Sequence, residues 1–240
     1  MRISNYLLGF VLLIGVLSSC AHKSGHLKQQ RVSSQKVFSN NGPVVDKPKS
    51  SNSKLEGNQI FTKYHSAVFM VYTTDGSNVY QGSGFFIDNQ GLAVSNYHVF
   101  KNTGIGMEAI KLEGDDTSYK VSEIFAKSEE HDFILFRVEC GQTNYIPIAS
   151  RKPNIGDRIF TIGSPKGLEN TFSSGDVSQW RDEYLMQISA AIDHGSSGGA
   201  LINEYGEVVG ITSGTLDAES QANLNYAWSI EAVKPHLKFK

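Results

Sequence analysis

From Ala67 onward the apolar residues come in short blocks or alternate with polar ones, and no stretch keeps the 3.6-residue spacing of a long helix. The blocks are "AVFMVYTT", "GSGFFID", "GLAVSNYHVF", "KVSEIFA", "FILFRVE", "RIFTIGS", "LMQISAAI", "ALINEYGEVVGITSG" and "LNYAWSI". Turn-forming Gly, Asn and Asp separate them in "TDGSN", "DNQG" and "NEYGE". Val, Ile, Phe and Tyr suit a pleated, half-buried surface, and closely spaced turn residues suit antiparallel hairpins. Strands do not alternate with amphipathic helices, which disfavours a doubly wound α/β sheet. The pattern predicts an all-β domain over residues 55–240. Helical expectations are confined to one or two turns in "NQIFTKYHS" and a short C-terminal helix over about 229–238, with Ser229 as its N-cap.

The N-terminal part follows a different pattern. Met1-Arg2 precedes the apolar run Leu7 to Leu17, too short to span a bilayer but suited to the core of a signal peptide. The run ends in "LSSC", and small residues before a cysteine resemble the lipobox of bacterial lipoproteins. That resemblance implies removal of residues 1–19 and lipidation of Cys20, which would anchor the protein in the membrane of a bacterial cell envelope. Ala21, in place of Asp, points to the outer membrane, facing the periplasm. The competing reading is an ordinary signal peptide with a chance cysteine.

Residues 20–54 are rich in Ser, Asn and Gln, with seven Lys/Arg against one acidic residue, and read as a flexible polar tether. A weaker reading lays this tether on an anionic envelope surface. Residues 55–240 reverse the balance, with 14 Lys/Arg against 23 Asp/Glu, so nucleic acid is not an expected partner. The whole chain of 240 residues carries a formal charge of −2 and is 40% hydrophobic, ordinary for a globular protein. Cys140 is the only other cysteine. With Cys20 acylated no intrachain disulfide can form, and no CxxC or Cys/His cluster suggests a metal or cofactor.

Candidate chemistry concentrates in "AAIDHGSSGGALIN", where Gly195, Gly198 and Gly199 surround Ser196 and Ser197. A serine hydroxyl needs a base to become a nucleophile, and the base needs an acid to hold its tautomer. His98 in "VSNYHVF" and Asp132 in "HDFILFRV" supply these types ahead of Ser197. Asp132 opens an apolar strand, which favours it over Asp116, Glu130 and the nearby Asp193. Backbone N–H groups at Gly195, Ser196 and Ser197 are candidates to receive the charge of an oxyanion. Each such donor is worth about 2.7–4 kcal/mol. His65, His131, His194 and His236 read as surface or loop residues, and Tyr97 and Trp228 as packing. "GSSGG" also fits the nucleophile elbow of α/β-hydrolases, but a hairpin follows the serine where that fold needs a helix.

Four blocks together resemble trypsin-like serine proteases of the HtrA/DegP type: "GSGFFIDNQGLAVSNYHV", "HDFILFRV", "GDRIFTIGSPKGLENTFSSGDVS" and "AAIDHGSSGGALINEYGEVVGI". The resemblance runs from about Ile60 to Val233. It implies two six-stranded antiparallel β-barrels, over about 60–142 and 143–232, with a boundary near Gly141–Tyr145 and the triad in the cleft between them. It further implies a serine endopeptidase acting on protein or peptide substrates. The primary specificity pocket would be lined by Ser189, Ala190, Ala191 and Ile192, by Thr212, Ser213 and Gly214 with Leu216 beyond them, and by Ala227. None of these is acidic, so small aliphatic side chains are expected to fit. Several positions depart from the family pattern. Ser196 replaces the usual Asn or Asp, Ser189 an Asp, and Ala200 a Pro. A PDZ module after the terminal helix is not expected, and the "TTDGSNVYQ" connection is short. A catalytically silent binding module on the same fold is the rival reading.

Overall fold

The computed structural model describes residues 42–47, 53–104, 106–164, 170–214 and 224–240. The expected signal peptide, Cys20, most of the tether, and Leu216 of the expected pocket lie outside the described residues.

In chain order the strands are β1 (Val44–Val45), β2 (Val68–Thr74), β3 (Val79–Phe86), β4 (Leu92–Ser95), β5 (Ala109–Leu112), β6 (Ser118–Tyr119), β7 (Val121–Ser128) and β8 (Phe133–Val138). Then come β9 (Arg158–Gly163), β10 (Thr171–Trp180), β11 (Leu185–Ile188), β12 (Ala200–Asn203), β13 (Val208–Gly214), β14 (Asn225–Ser229) and β15 (Lys238–Phe239). Among the described residues, two short α-helices, α1 (Gly57–Tyr64) and α2 (Tyr97–Phe100), complete the pattern with three 3-10 turns.

Strands β9 to β14 form a closed six-stranded barrel in the order β10-β11-β14-β13-β12-β9, every pairing antiparallel. The first half of the domain is a seven-stranded antiparallel sheet, β6-β5-β2-β3-β4-β8-β7, where six strands were expected. The extra strand has a local cause. β6 pairs with β5 and β7 pairs with β8, so the stretch 118–128 bridges both edges of the sheet and is interrupted only at Lys120. Glu108, 2% exposed, stitches the interruption: its carboxylate accepts the Val121 N–H at 2.9 Å and the Gly106 N–H at 2.7 Å. The Lys120 ammonium donates to the Glu108 carbonyl.

Strand periodicity explains why so many blocks read as apolar throughout. Phe69 and Val71 of β2 and Ile134, Phe136 and Val138 of β8 pack inside the first barrel. Their neighbours Val68, Phe133 and Leu135 join Phe160, Ile162, Ile202 and Ile211 of the second half in a shared seam. Ile159, Leu201 and Val209 fill the second barrel. Successive side chains leave a strand on opposite faces, so a strand with a barrel interior on one face and a seam on the other is apolar on both. Burying each Phe, Leu or Ile contributes about 1.5–3 kcal/mol.

The expected N-terminal helical turns form as α1, where Gln59 Oε1 accepts the Glu56 N–H at 2.8 Å and Ile60 and Tyr64 reach the seam. The C-terminal helix is two 3-10 turns, Ile230–Ala232 and Lys234–His236. Ser229 Oγ accepts the Glu231 N–H at 3.3 Å, and Pro235 follows too closely for α-helical bonding. One expectation needs correction. Val44–Val45, inside the segment read as tether, pairs in parallel with Lys238–Phe239, and Val45 is buried against the seam. Two consecutive valines give that polar stretch the one apolar, β-forming site it contains within the described residues.

Candidate active site

His98 sits on α2, a single turn that follows β4 directly. Asn96 caps the turn in extended conformation and its Nδ2 donates to the Asp132 carbonyl at 2.8 Å. Asp132 occupies the tight connection into β8 with φ +43, a left-handed conformation that Asp tolerates better than most residues. This turn brings its carboxylate back over α2. Asp132 Oδ2 lies 2.7 Å from His98 Nδ1, and Oδ1 accepts the His98 backbone N–H at 2.9 Å. The two bonds fix both the ring and the backbone carrying it. Ser213 Oγ, from β13 of the second barrel, donates to the same Oδ2 at 2.9 Å. Side-chain exposure is 13% for Asp132 and 46% for His98, so the acid is shielded and the base is open.

Ser197 lies in the turn before β12 and is held against the first barrel. Its carbonyl accepts the Ser83 N–H at 2.7 Å. A Cβ built on Gly82 would lie 2.7 Å from the Val99 methyls and 3.2 Å from that carbonyl, which puts Ser197 beside the residue following His98. A Cβ on Gly214 would lie 3.6 Å from Ser197 Oγ, which puts it beside the residue following Ser213. His98, Asp132 and Ser197 therefore converge where the barrels meet. No hydrogen bond links Ser197 Oγ to His98 among the described residues. Such contacts are often long in unliganded enzymes and tighten on substrate.

The glycines around the serine have distinct reasons. Gly195 has φ +93, and a Cβ there would lie 2.2 Å from Gln81 Oε1. Gly198 has φ +88, and its Cβ would lie 2.1 Å from the Ser83 carbonyl oxygen. Only glycine meets both demands. The Gly195 and Ser197 N–H groups carry no hydrogen bond to a described residue, whereas the Ser196 N–H donates to the Asp193 carbonyl at 2.9 Å. Ser196 is therefore corrected as an oxyanion donor, because its proton closes the turn. Its carbonyl accepts Thr212 Oγ1 at 2.6 Å and the Gly199 N–H at 2.9 Å.

The expected pocket residues divide. Ala191, Ile192 and Thr212 border a cavity of about 410 Å³ together with Ile162, Thr171 and Phe172. Ala190 and Ala227 are fully buried in the second-barrel core and do not line it. Ser189 faces β10, where its Oγ accepts the Asp176 N–H at 2.8 Å. Ser213 is spent on Asp132, and Gly214, at φ +82, flanks Ser197. The pocket expectation is thus corrected for Ala190 and Ala227, which have no exposed surface. Small residues here serve strand packing and turn geometry.

Other candidates are placed elsewhere. Asp193 Oδ1 accepts the His194 N–H at 2.7 Å, and the Asp116 carbonyl accepts the Lys111 ammonium. His131 is not simply a loop residue: half-buried, its ring packs at a tilt against Tyr184 and Trp228 with centroids 4.6 and 5.9 Å apart. Burial pushes the Cys140 thiol up from its ordinary value, so it is no activated nucleophile. Among the described residues, no group of three or more His, Cys, Asp or Glu is placed to hold a metal ion. Sequence reasoning missed Ser83 and Asn96, and placed Ser213 in the pocket wall without foreseeing its bond to Asp132. For Ser83 and Asn96 the available signal was a polar residue inside an otherwise buried block.

Residues 82–211 match the family model described as "Trypsin-like peptidase domain", more than half of the chain. The chain is 33% identical over 162 residues to a probable periplasmic serine endoprotease DegP-like of Rhizobium meliloti, covering 63% of this chain and 31% of that protein. It is 30% identical over 175 residues to Protease Do-like 1, chloroplastic, of Arabidopsis thaliana, covering 66% and 39%. The chain thus spans between about a third and two fifths of the length of these two relatives. Its fold is shared with the serine endoprotease from Yersinia pestis, with a TM-score of 0.66 at 24% identity over 77% of this chain and 66% of that one. The chain belongs to the trypsin-like peptidase family.

Proposed function

We propose that this chain is a serine endopeptidase that cleaves peptide bonds through an acyl-enzyme. The reading rests chiefly on one observation: the Asp132 carboxylate grips both the ring and the backbone of His98 beside the Ser197 turn. With Nδ1 committed to Asp132, Nε2 is the nitrogen left to take the Ser197 proton as Oγ attacks the carbonyl carbon. Asp132 then stabilises the imidazolium, which returns the proton to the leaving amine. The developing oxyanion is received by the Gly195 and Ser197 N–H groups, neither bonded within the described protein. Water repeats the sequence on the acyl-enzyme. Ile162, Phe172, Ala191 and Ile192 favour apolar substrate side chains through burial against their walls, with Asp193 the charged residue at the cavity's lining.

The cellular setting belongs to the same proposal. The Rhizobium meliloti relative's printed description as periplasmic, together with the signal-like N-terminus and "LSSC", supports a lipid-anchored envelope protein acting in processing or quality control. Labelling by an organofluorophosphonate and proteome-wide cleavage-site profiling test the activity against Ser197→Ala. Wild type is expected to label and cleave, and the variant to lose turnover by a factor on the order of a million. Equal cleavage by both proteins would sink the reading, and equal inertness would favour the silent binding module.

A further inference from the structure

Ser83 is a polar residue in β3 with no exposed surface. Its hydroxyl donates to the Gly195 carbonyl at 2.7 Å and accepts the Ser164 N–H at 2.9 Å. Its backbone N–H donates to the Ser197 carbonyl at 2.7 Å, and its own carbonyl accepts Ser95 Oγ at 2.7 Å. A hydroxyl has a single proton to give, and here it goes across the cleft to the second barrel. We infer that Ser83 is a positioning residue: a first-barrel side chain that holds the peptide after Gly195 in the orientation the oxyanion site requires. The inference rests on the endopeptidase reading and concerns the same site.

Gly195 is the least constrained kind of residue at the point where one candidate donor must be aimed. Without a Cβ it reaches several backbone conformations at little cost, and a rotated peptide would turn a donor away from the cleft. The carbonyl of residue 195 belongs to the peptide that sets its ψ. Bonding that carbonyl to Ser83 fixes the conformation, while the Ser83 N–H fixes residue 197 two positions on. Both proposed donors are thereby flanked by anchors from the other barrel. An alanine at residue 83 would keep the backbone anchor and remove the hydroxyl. The Gly195 carbonyl and the buried Ser164 N–H would then both lose their partner.

The test uses the full chain and a quenched fluorescent peptide copied from a site that wild type cleaves. Ser83→Ala is expected to lower kcat about 10- to 100-fold, a part of the 10²–10³ lost when an oxyanion donor is removed outright. KM is expected to stay within about threefold, as for loss of an interaction made only in the transition state. A peptide aldehyde, which mimics the tetrahedral adduct, is expected to weaken by the same factor as kcat/KM. Ser83→Thr, which keeps the hydroxyl, should restore kcat to within about threefold of wild type. Unchanged kcat and aldehyde affinity in Ser83→Ala would overturn the inference whatever happened to its melting temperature. So would a loss that Ser83→Thr fails to repair. If Ser83→Ala does not fold, Ser83→Cys, close in size but a weaker donor, takes its place: an intermediate kcat supports the inference and a wild-type kcat overturns it. Active wild type, inert Ser197→Ala and undisturbed Ser83→Ala together reject only this inference. Wild type no more active than Ser197→Ala rejects the endopeptidase reading itself.

Discussion

Among the described residues two histidines meet a carboxylate through Nδ1, and only one of them has the makings of a catalyst. His65, just after α1, contacts Glu113, with side-chain exposures of 34% and 28%, and its ring stacks on Phe61 at 5.3 Å. His98 contacts Asp132, whose carboxylate also accepts the His98 backbone N–H and Ser213 Oγ. The first pair is a contact between two side chains. The second is a carboxylate held by three donors from two barrels, next to a serine in a glycine turn. A His–carboxylate contact is thus common chemistry, and what distinguishes the second is the framework that immobilises the acid and delivers a third group.

Four substitutions sharpen that contrast. His98→Ala should reduce kcat by about 10⁵- to 10⁶-fold, because the base and the nucleophile act as a unit. The measurement is single-turnover hydrolysis of an activated peptide ester, and a loss below a hundredfold would make the two histidines equivalent after all. Asp132→Asn should cost about 10⁴-fold in kcat by favouring the wrong tautomer while leaving the fold intact. Steady-state kinetics with a matched circular dichroism spectrum tests this. Ser213→Ala removes one of the donors to Asp132, and a drop of about tenfold in kcat/KM is expected from losing a hydrogen bond to a charged group. A drop as large as that of Asp132→Asn would mean that Ser213 does more than support the acid. Glu113→Gln should leave kcat unchanged and shift stability by no more than about 1 kcal/mol, as for a partly exposed ion pair. Urea titration reads the second figure, and any change in turnover would show that the two pairs communicate.

The sequence made the candidate triad legible because each member sits in a local pattern that can be read without knowing the fold. Ser197 lies among glycines, Asp132 opens an apolar strand, and His98 closes one. The strand blocks were legible for the same reason. What stayed hidden depends on register between distant segments. Ser213 lies 81 residues from Asp132, and only the placement of β13 against the first barrel makes them partners. Nothing in the sequence singles out Glu108, yet it is buried where strand 118–128 breaks beside it and the Val121 N–H needs an acceptor. Ala190 and Ala227 read as a pocket wall, but both are fully buried with Ile159, Met186, Leu201 and Val209 inside the second barrel, and only the folded sheet shows that.

The strands that are apolar on both faces set a limit on how the protein can be taken apart. Cut near residue 142, either half would turn Val68, Leu135, Phe160 or Ile202 from seam to surface, a continuous greasy wall on an otherwise folded body. Neither half is then a module that can be lent to another chain, and separately expressed fragments should aggregate unless they meet. The cleft and the cohesion that makes it possible come from the same sheet of contacts, so the molecule stays whole or stops working.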